Sequence, residues 1–206
     1  MVGLISFVTM EPEISNFLKL AFKEDLGDGD HSSLACIPAS SINKAKLLVK
    51  EDGVLAGVEL AKTIFNYIDP SVSIEVLIED GSNVKFGDEA FYVSGSARSI
   101  LKCERIVLNC MQRMSAIATK TRLAVKLLEG LNTKVLDTRK TTPGIRFIEK
   151  WAVRIGGGEN HRSGLFDMIM LKDNHIDYAG GIEKAILQTN AYLLSTGKDL
   201  KIEIET

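Results

Sequence analysis

The sequence predicts an α+β domain followed by an incomplete α/β barrel of the TIM type, and three observations carry that prediction. Residues 44–97 consist of short β-like runs separated by tight turns. Residues 98–129 form one long helical pattern. After Gly130, apolar strand-like runs recur about every 33 to 35 residues with helical patterns between them, which is the repeat of β-α units in a parallel sheet or barrel.

Composition bounds what such a chain does. Its 206 residues are 45% hydrophobic, with mean hydropathy +0.08, enough to bury a real core. A formal net charge of -2 and a pI near 6.0 give no overall basic field, so neither nucleic acid nor an anionic membrane is expected as a partner. Any anion site must be local. No apolar run approaches the roughly 18 residues of a membrane span. Met1 to Met10 lacks the basic region and cleavage site of a signal peptide. Cys36, Cys103 and Cys110 are odd in number and lack CxxC spacing, so they read as buried thiols rather than a metal or redox site. A reducing cytoplasm is the expected compartment.

The elements follow in order. In EPEISNFLKLAFKE (11–24), Pro12 opens the first turn, and Ile14, Phe17, Leu18 and Phe22 fall at helical spacing. KAKLLVKE, SIEVLI and AFYVSGS predict strands, with Glu-Asp-Gly, Asp-Gly-Ser-Asn and Phe-Gly-Asp as turns and a helix near 58–68. Along 98–129, Ile100, Cys103, Val107, Cys110 and Met114 form an apolar stripe, and Lys102, Arg105, Asn109 and Gln112 a polar one. One face packs and the other is left for a ligand or partner. Strands are then expected at TKVLD (133–137), DMIMLK (167–172) and LKIEIE (200–205), and helices at 145–155 and 180–195. The chain stops at Thr206 directly after a strand run, so it is read as C-terminally truncated.

Charged residues sit just past each of these runs, where barrel enzymes build their active sites. They are Asp137-Thr138-Arg139-Lys140, Lys172-Asp173-Asn174-His175, and Glu203 with Glu205. All three clusters are expected to face one mouth. The loop GGGENHRSGLFD (156–167) adds His161 and Arg162 on a backbone that glycines allow close to a ligand. Arg139, Lys140, Arg162 and Lys172 thus make four permanent cations with few obvious partners nearby, a costly arrangement unless an anion fills it. Arginine offers planar two-point contacts to carboxylate or phosphate, and lysine a point charge. The spacing of His161 and His175 matches no zinc hydrolase or deaminase signature; Asn174-His175 is expected to cap the following connection, and no structural metal is expected.

The strings DTRKTTPGIR (137–146), GGGENHRSGLFDMIMLKDNHI (156–176) and IEIE (202–205), in this order and spacing, resemble the quinolinate phosphoribosyltransferase family. EDLGDGDHSS (24–33) and CERIVLNCMQRMSAIAT (103–119) resemble its N-terminal domain. The resemblance implies an N-terminal α/β sandwich over 1–115 and the first part of the barrel over 116–206. It implies transfer of a phosphoribosyl group from phosphoribosyl pyrophosphate to quinolinate with decarboxylation, with Mg²⁺ accompanying the pyrophosphate and no organic cofactor. By motif position, Thr138, Arg139, Lys140, His161, Arg162 and Lys172 look like substrate binders, with Lys140, Lys172 and Glu205 as the catalytic group. Glu205 could stabilise the oxocarbenium-like sugar or help hold Mg²⁺. The resemblance also implies a homodimer in which Arg105 reaches the neighbouring subunit's site. In one respect the sequence departs from the family: it stops where the family continues with further strands that supply another acid and sugar-phosphate loops. The rival readings are a same-fold paralogue of the molybdate-operon type with another acceptor, and a lipoyl- or biotinyl-like carrier built on residues 44–97.

Overall fold

The computed structural model describes residues 11–205, which form two compact units dividing after Asn160. The signal-peptide reading of Met1 to Met10 falls outside the described residues.

The first unit starts with α1 (Glu11–Leu26), in which Ile14, Leu18 and Phe22 are buried at the predicted spacing. A short α2 (His31–Cys36) follows; its N-cap Asp30 accepts a hydrogen bond from the Ser33 amide at 3.1 Å. The β-rich stretch then divides into two sheets. In the larger, β5 (Glu89–Ser96) runs between β1 (Ile42–Leu48) and β3 (Ser73–Val76), antiparallel to both. The smaller pairs β2 (Gly53–Val54) with β4 (Asn83–Val84). These two-residue strands occupy positions read from sequence as turns: each is too short for an alternating pattern to register. GSNVKFGDEAFYVSG is thereby divided between two sheets, which removes the carrier hairpin.

Helices α3 (Val58–Ile68) and α4 (Ala97–Lys126) complete this core. On α4, Ile100, Cys103, Val107, Cys110, Met114 and Ala118 are buried, so the predicted apolar stripe is the packed face. Phe91, Leu18, Leu60, Ile64 and Met114 are almost fully enclosed. Each such side chain stabilises the fold by about 1.5–3 kcal/mol relative to exposure. Gly57, the N-cap of α3, has φ +103°, and a Cβ there would meet Met111 and Met114 of α4 at 3.1 Å. Glycine is required both by backbone conformation and by the approach of the two helices. The helix runs unbroken through residues 115 and 116.

From α4 the chain reaches Val135-Leu136, where a strand is predicted. What forms is a single parallel bridge between Leu136 and Glu159. Glu159 N–H donates to Val135 O at 2.9 Å and Asp137 N–H to Glu159 O at 3.1 Å. The pairing is confined to this bridge, and the segment opposite turns at Gly157 (φ +94°), two residues before Glu159. Helix α5 (Arg146–Ile155) lies where predicted.

In the second unit, β6 (Ile169–Leu171) and β7 (Ile202–Ile204) pair in parallel, with α6 (Asp173–Ala179) and α7 (Ile182–Thr196) between them in the chain. This is the β-α-β arrangement expected from the repeat, with shorter strands than the apolar runs. Helix α6 is not among the predicted elements; Asn174-His175 is read from sequence as a cap, and the cap begins a helix of its own. No helix among the described residues is long and apolar enough to cross a membrane.

Burial pushes the Cys103 thiol up to about 12 and the Cys110 thiol to about 11, whereas Cys36, at the end of the short α2, is exposed and corrects the expectation that all three thiols are buried. A thiol reagent at mildly alkaline pH is expected to label Cys36 in the folded protein, and Cys103 and Cys110 only after denaturation. Peptide mass spectrometry of the labelled protein checks this; either buried thiol reacting as fast as Cys36 would contradict the packing of α4.

Candidate active site

Loop 137–142, Asp-Thr-Arg-Lys-Thr-Thr, carries the predicted binders Thr138, Arg139 and Lys140, and its two ends are tied to α5. At the first end Lys150 Nζ donates to Asp137 Oδ1, both side chains being 6% exposed. Asn160 Nδ2 donates to the other oxygen of Asp137 at 2.5 Å and to Lys150 O at 2.8 Å. Removing one member of so buried a pair strands a charge, at a cost of about 3–5 kcal/mol. At the second end the Thr142 amide donates to Glu149 Oε2 at 3.2 Å. Arg113 of α4 donates to Glu149 Oε1 from Nε at 2.9 Å and Nη2 at 2.6 Å, and from Nη2 to Thr142 Oγ1 at 3.1 Å. Burial pushes the Glu149 carboxyl up, but the hydrogen bonds from Arg113 and Thr142 outweigh it and hold it below its ordinary 4.5.

Inside the loop the Lys140 amide donates to Thr138 Oγ1 at 3.0 Å, and Arg146 Nε donates to Thr141 Oγ1 at 3.0 Å. Helix α5 is itself anchored to α4 at its C-terminal end. There Arg122 of α4 donates to Gly156 O at 3.0 Å and Ile155 O at 3.1 Å, satisfying carbonyls the helix leaves open. Among the described residues, Arg139 and Lys140 form no ion pair, and Arg139 Nε is a buried donor with no hydrogen-bond partner. An orphaned guanidinium nitrogen beside a second cation is what an acidic ligand would satisfy. Arg105 is exposed on α4, with Asn109 and Gln112 on the same polar stripe and Lys102 half-buried there.

In the second unit, His161 Nε2 lies 2.8 Å from Glu203 Oε2, and Lys172 Nζ donates to Glu205 Oε2. The expectation of cations with few partners is therefore corrected for Lys172: the acids of IEIE, two residues apart, take one basic side chain each. Arg162 Nη1 makes a long contact to Met168 O at 3.4 Å. Asp167 folds the intervening loop, accepting from the Ser163 amide at 2.7 Å and the Gly164 amide at 2.9 Å. His175 Nδ1 accepts from the Lys172 amide at 3.1 Å, as a cap does, in agreement with the sequence reading. An open hollow of about 520 Å³ in this unit is lined by Ile169, Leu171, Ala185, Tyr178 and Tyr192 among others. It contains none of the predicted binders and is a sheet-helix surface rather than an anion site. Among the described residues no group of three or more His, Cys, Asp or Glu side chains could hold a metal by itself.

Sequence reasoning missed Glu149, Lys150, Arg113 and Asn160. The signal available was the adjacent Glu149-Lys150 pair one and two places after the buried Ile148, where an amphipathic helix is still turning through its packed side.

Two family models match consecutive stretches of the chain: quinolinate phosphoribosyl transferase, N-terminal domain, over residues 30–115, and its C-terminal domain over 117–206. The chain is 46% identical to quinolinate phosphoribosyltransferase (decarboxylating) 1b of Nicotiana tabacum, over 98% of this chain and 59% of that protein. It is 47% identical to the nicotinate-nucleotide pyrophosphorylase (carboxylating), chloroplastic, of Arabidopsis thaliana, over 94% of this chain and 55% of that one. It thus spans little more than half the length of these relatives. The crystal structure of NadC from Streptococcus pyogenes superposes with a TM-score of 0.86 at 42% identity, covering 94% of this chain and 68% of that one.

Because the Glu149 carboxyl is held below 4.5, the stability it contributes is present above that value and fades as pH falls through the lower folded value. Glu149→Gln is expected to cost on the order of 1–3 kcal/mol at pH 7. For a chain of this size that is about 2–4 °C of melting temperature per kcal/mol. The gap between the two proteins should narrow below pH 4.5 in melting curves; a gap independent of pH would contradict the ionised network.

Proposed function

The chain belongs to the quinolinate phosphoribosyl transferase family, and on that footing we propose that the protein converts quinolinate and phosphoribosyl pyrophosphate to nicotinate mononucleotide, carbon dioxide and pyrophosphate, a step in making NAD. The observation that carries the reading is Arg139: a buried Nε without a partner, next to Lys140, on a loop tied at both ends.

In this reading Arg105, Thr138, Arg139, Lys140, His161, Arg162, Lys172 and Glu205 bind the substrates. Arginine forks suit the carboxylates of quinolinate, and lysines suit the phosphates, each charge-assisted bond being worth about 1.5–3 kcal/mol. The pyridine nitrogen attacks C1 of the sugar, and the C–O bond to pyrophosphate breaks with its electrons leaving on the pyrophosphate. The ring becomes a cationic pyridinium. Loss of the 2-carboxylate as carbon dioxide leaves an electron pair at C2 that the pyridinium stabilises, and a proton then closes that carbon. No covalent link to the protein is needed. Placement and charge carry the rate, with Lys140 and Lys172 opposite the developing negative charge and Glu205 opposite the positive sugar. Lys172 and Glu205 support this as a pair, since their mutual bond holds each acid and base in a defined place.

Mg²⁺ would neutralise the pyrophosphate as it leaves. The carboxylate of Glu205 together with substrate oxygens is the set that would hold it. We further propose a homodimer, with the exposed Arg105 serving the neighbouring subunit's site, a sandwich-to-barrel boundary at 115/116 within α4, and a cytoplasmic location. The contiguity of the two family models at residues 115 and 117 supports the boundary.

In the complete protein, Arg139→Ala or Arg162→Ala is expected to weaken quinolinate binding about tenfold or more, an effect of at least about 1.4 kcal/mol. Calorimetric titration measures it, and an unchanged affinity would remove these residues from the site.

A further inference from the structure

We infer that Glu149 and Lys150 are positioning residues of the dicarboxylate site, a pair of adjacent buried charges that grip the two ends of loop 137–142 and thereby aim Arg139 and Lys140. The inference rests on the substrate reading given above and adds two residues to it.

Charged side chains are seldom buried, yet Glu149 is 6% and Lys150 5% exposed, side by side on α5. Their bonds diverge. Lys150 takes Asp137, the residue before Thr138, whereas Glu149 takes the amide of Thr142, the residue after Thr141. Between these anchors lie the side chains that would meet substrate. Left to themselves, Arg139 and Lys140 repel each other and, with Arg146 close by, would drive the loop open. Within the loop the bonds go to threonine hydroxyls, from the Lys140 amide to Thr138 and from Arg146 Nε to Thr141, with Arg146 Nη2 3.5 Å from Arg139 O. The bonds to buried charges lie at its two ends.

Net stability is a poor explanation for such a device. Well-packed apolar residues in place of a buried ion pair are often as stable or more so, and what the pair supplies in exchange is direction. Direction matters here because a binding group must stand within roughly 0.5 Å of its productive place before ligand arrives, and a loop ordered only on binding would lose that affinity to entropy. Each clamp is also supported from a further element. Asn160 bridges Asp137 and the Lys150 carbonyl, and Arg113 of α4 bridges Glu149 and Thr142. The loop thus inherits the rigidity of the α4–α5 packing.

The test uses the complete protein and calorimetric titration with quinolinate, on Lys150→Met, on the isosteric Glu149→Gln, on Arg139→Ala and on each clamp variant combined with Arg139→Ala. Each clamp variant is expected to raise the dissociation constant about tenfold or more with the number of sites per chain unchanged. Combined with Arg139→Ala, each should add far less than the product of the separate effects, because the clamp acts through that side chain. A residue that merely stabilises the fold would lower the melting temperature or the number of titratable sites while leaving the dissociation constant of the surviving fraction alone, and that result overturns the clamp. So does a full product in the double variants. If Lys150→Met does not fold, Glu149→Gln decides by the same criteria. Loss of affinity in Arg139→Ala with no loss in the clamp variants overturns this inference and spares the functional reading; unchanged affinity in Arg139→Ala removes both.

Discussion

An aspartate and a lysine, each 6% exposed and bonded to one another, form the constraint around which the first unit's chemistry is arranged. Neither charge tolerates that depth of burial alone. Once they are paired, the chain on both sides has little freedom: Asp137 ends the one-residue bridge to Glu159 and begins the loop that presents Arg139, and Lys150 fixes α5 beneath it. Glu149 repeats the arrangement with opposite sign five residues further along the same loop, at Thr142. A short helix with two buried charges thus does for a loop what a ladder of strand pairing would do in a longer sheet.

The second unit solves a different problem with the same means. Glu203 and Glu205, two apart at the end of β7, each take a basic side chain, His161 and Lys172 respectively. Alternation along an extended chain sends both carboxylates to one side, which is why a strand rather than a helix suits the task. The result is a set of basic groups that are held in place while remaining partly exposed and open to a ligand. Arg139 differs: its Nε is buried and has no protein acceptor among the described residues, so its balance depends on what binds.

Much of this was legible in the residues. The spacing of Ile14, Leu18 and Phe22 marked α1, the stripe from Ile100 to Met114 marked the packed face of α4, and the β-like runs KAKLLVKE and AFYVSGS marked β1 and β5. The two-residue strands were not legible, because β2 and β4 carry no period long enough to detect and owe their form to pairing with each other. TKVLD misled for the complementary reason: its apolar run has strand propensity, but a strand also needs a partner, and the glycine-rich segment opposite pairs with it only at Glu159. Among the candidate site residues, the cations Arg139, Lys140 and Lys172 were visible as charge at the ends of apolar runs, and Arg162 on the glycine-rich loop. The pairing of Lys172 with Glu205 and of His161 with Glu203, and the clamp beneath the loop, depend on contacts between residues 7 to 42 positions apart, which the spacing of apolar residues does not encode.

The central claim is that the anchored loop presents Arg139 to a carboxylate of the substrate. A crystal structure of the complete protein with quinolinate tests it most directly. The account predicts Arg139 Nε donating to a quinolinate oxygen within ordinary hydrogen-bond reach, about 2.7–3.2 Å, with the Asp137–Lys150 and Thr142–Glu149 bonds intact. Quinolinate bound elsewhere, with Arg139 Nε still lacking an acceptor, would contradict it.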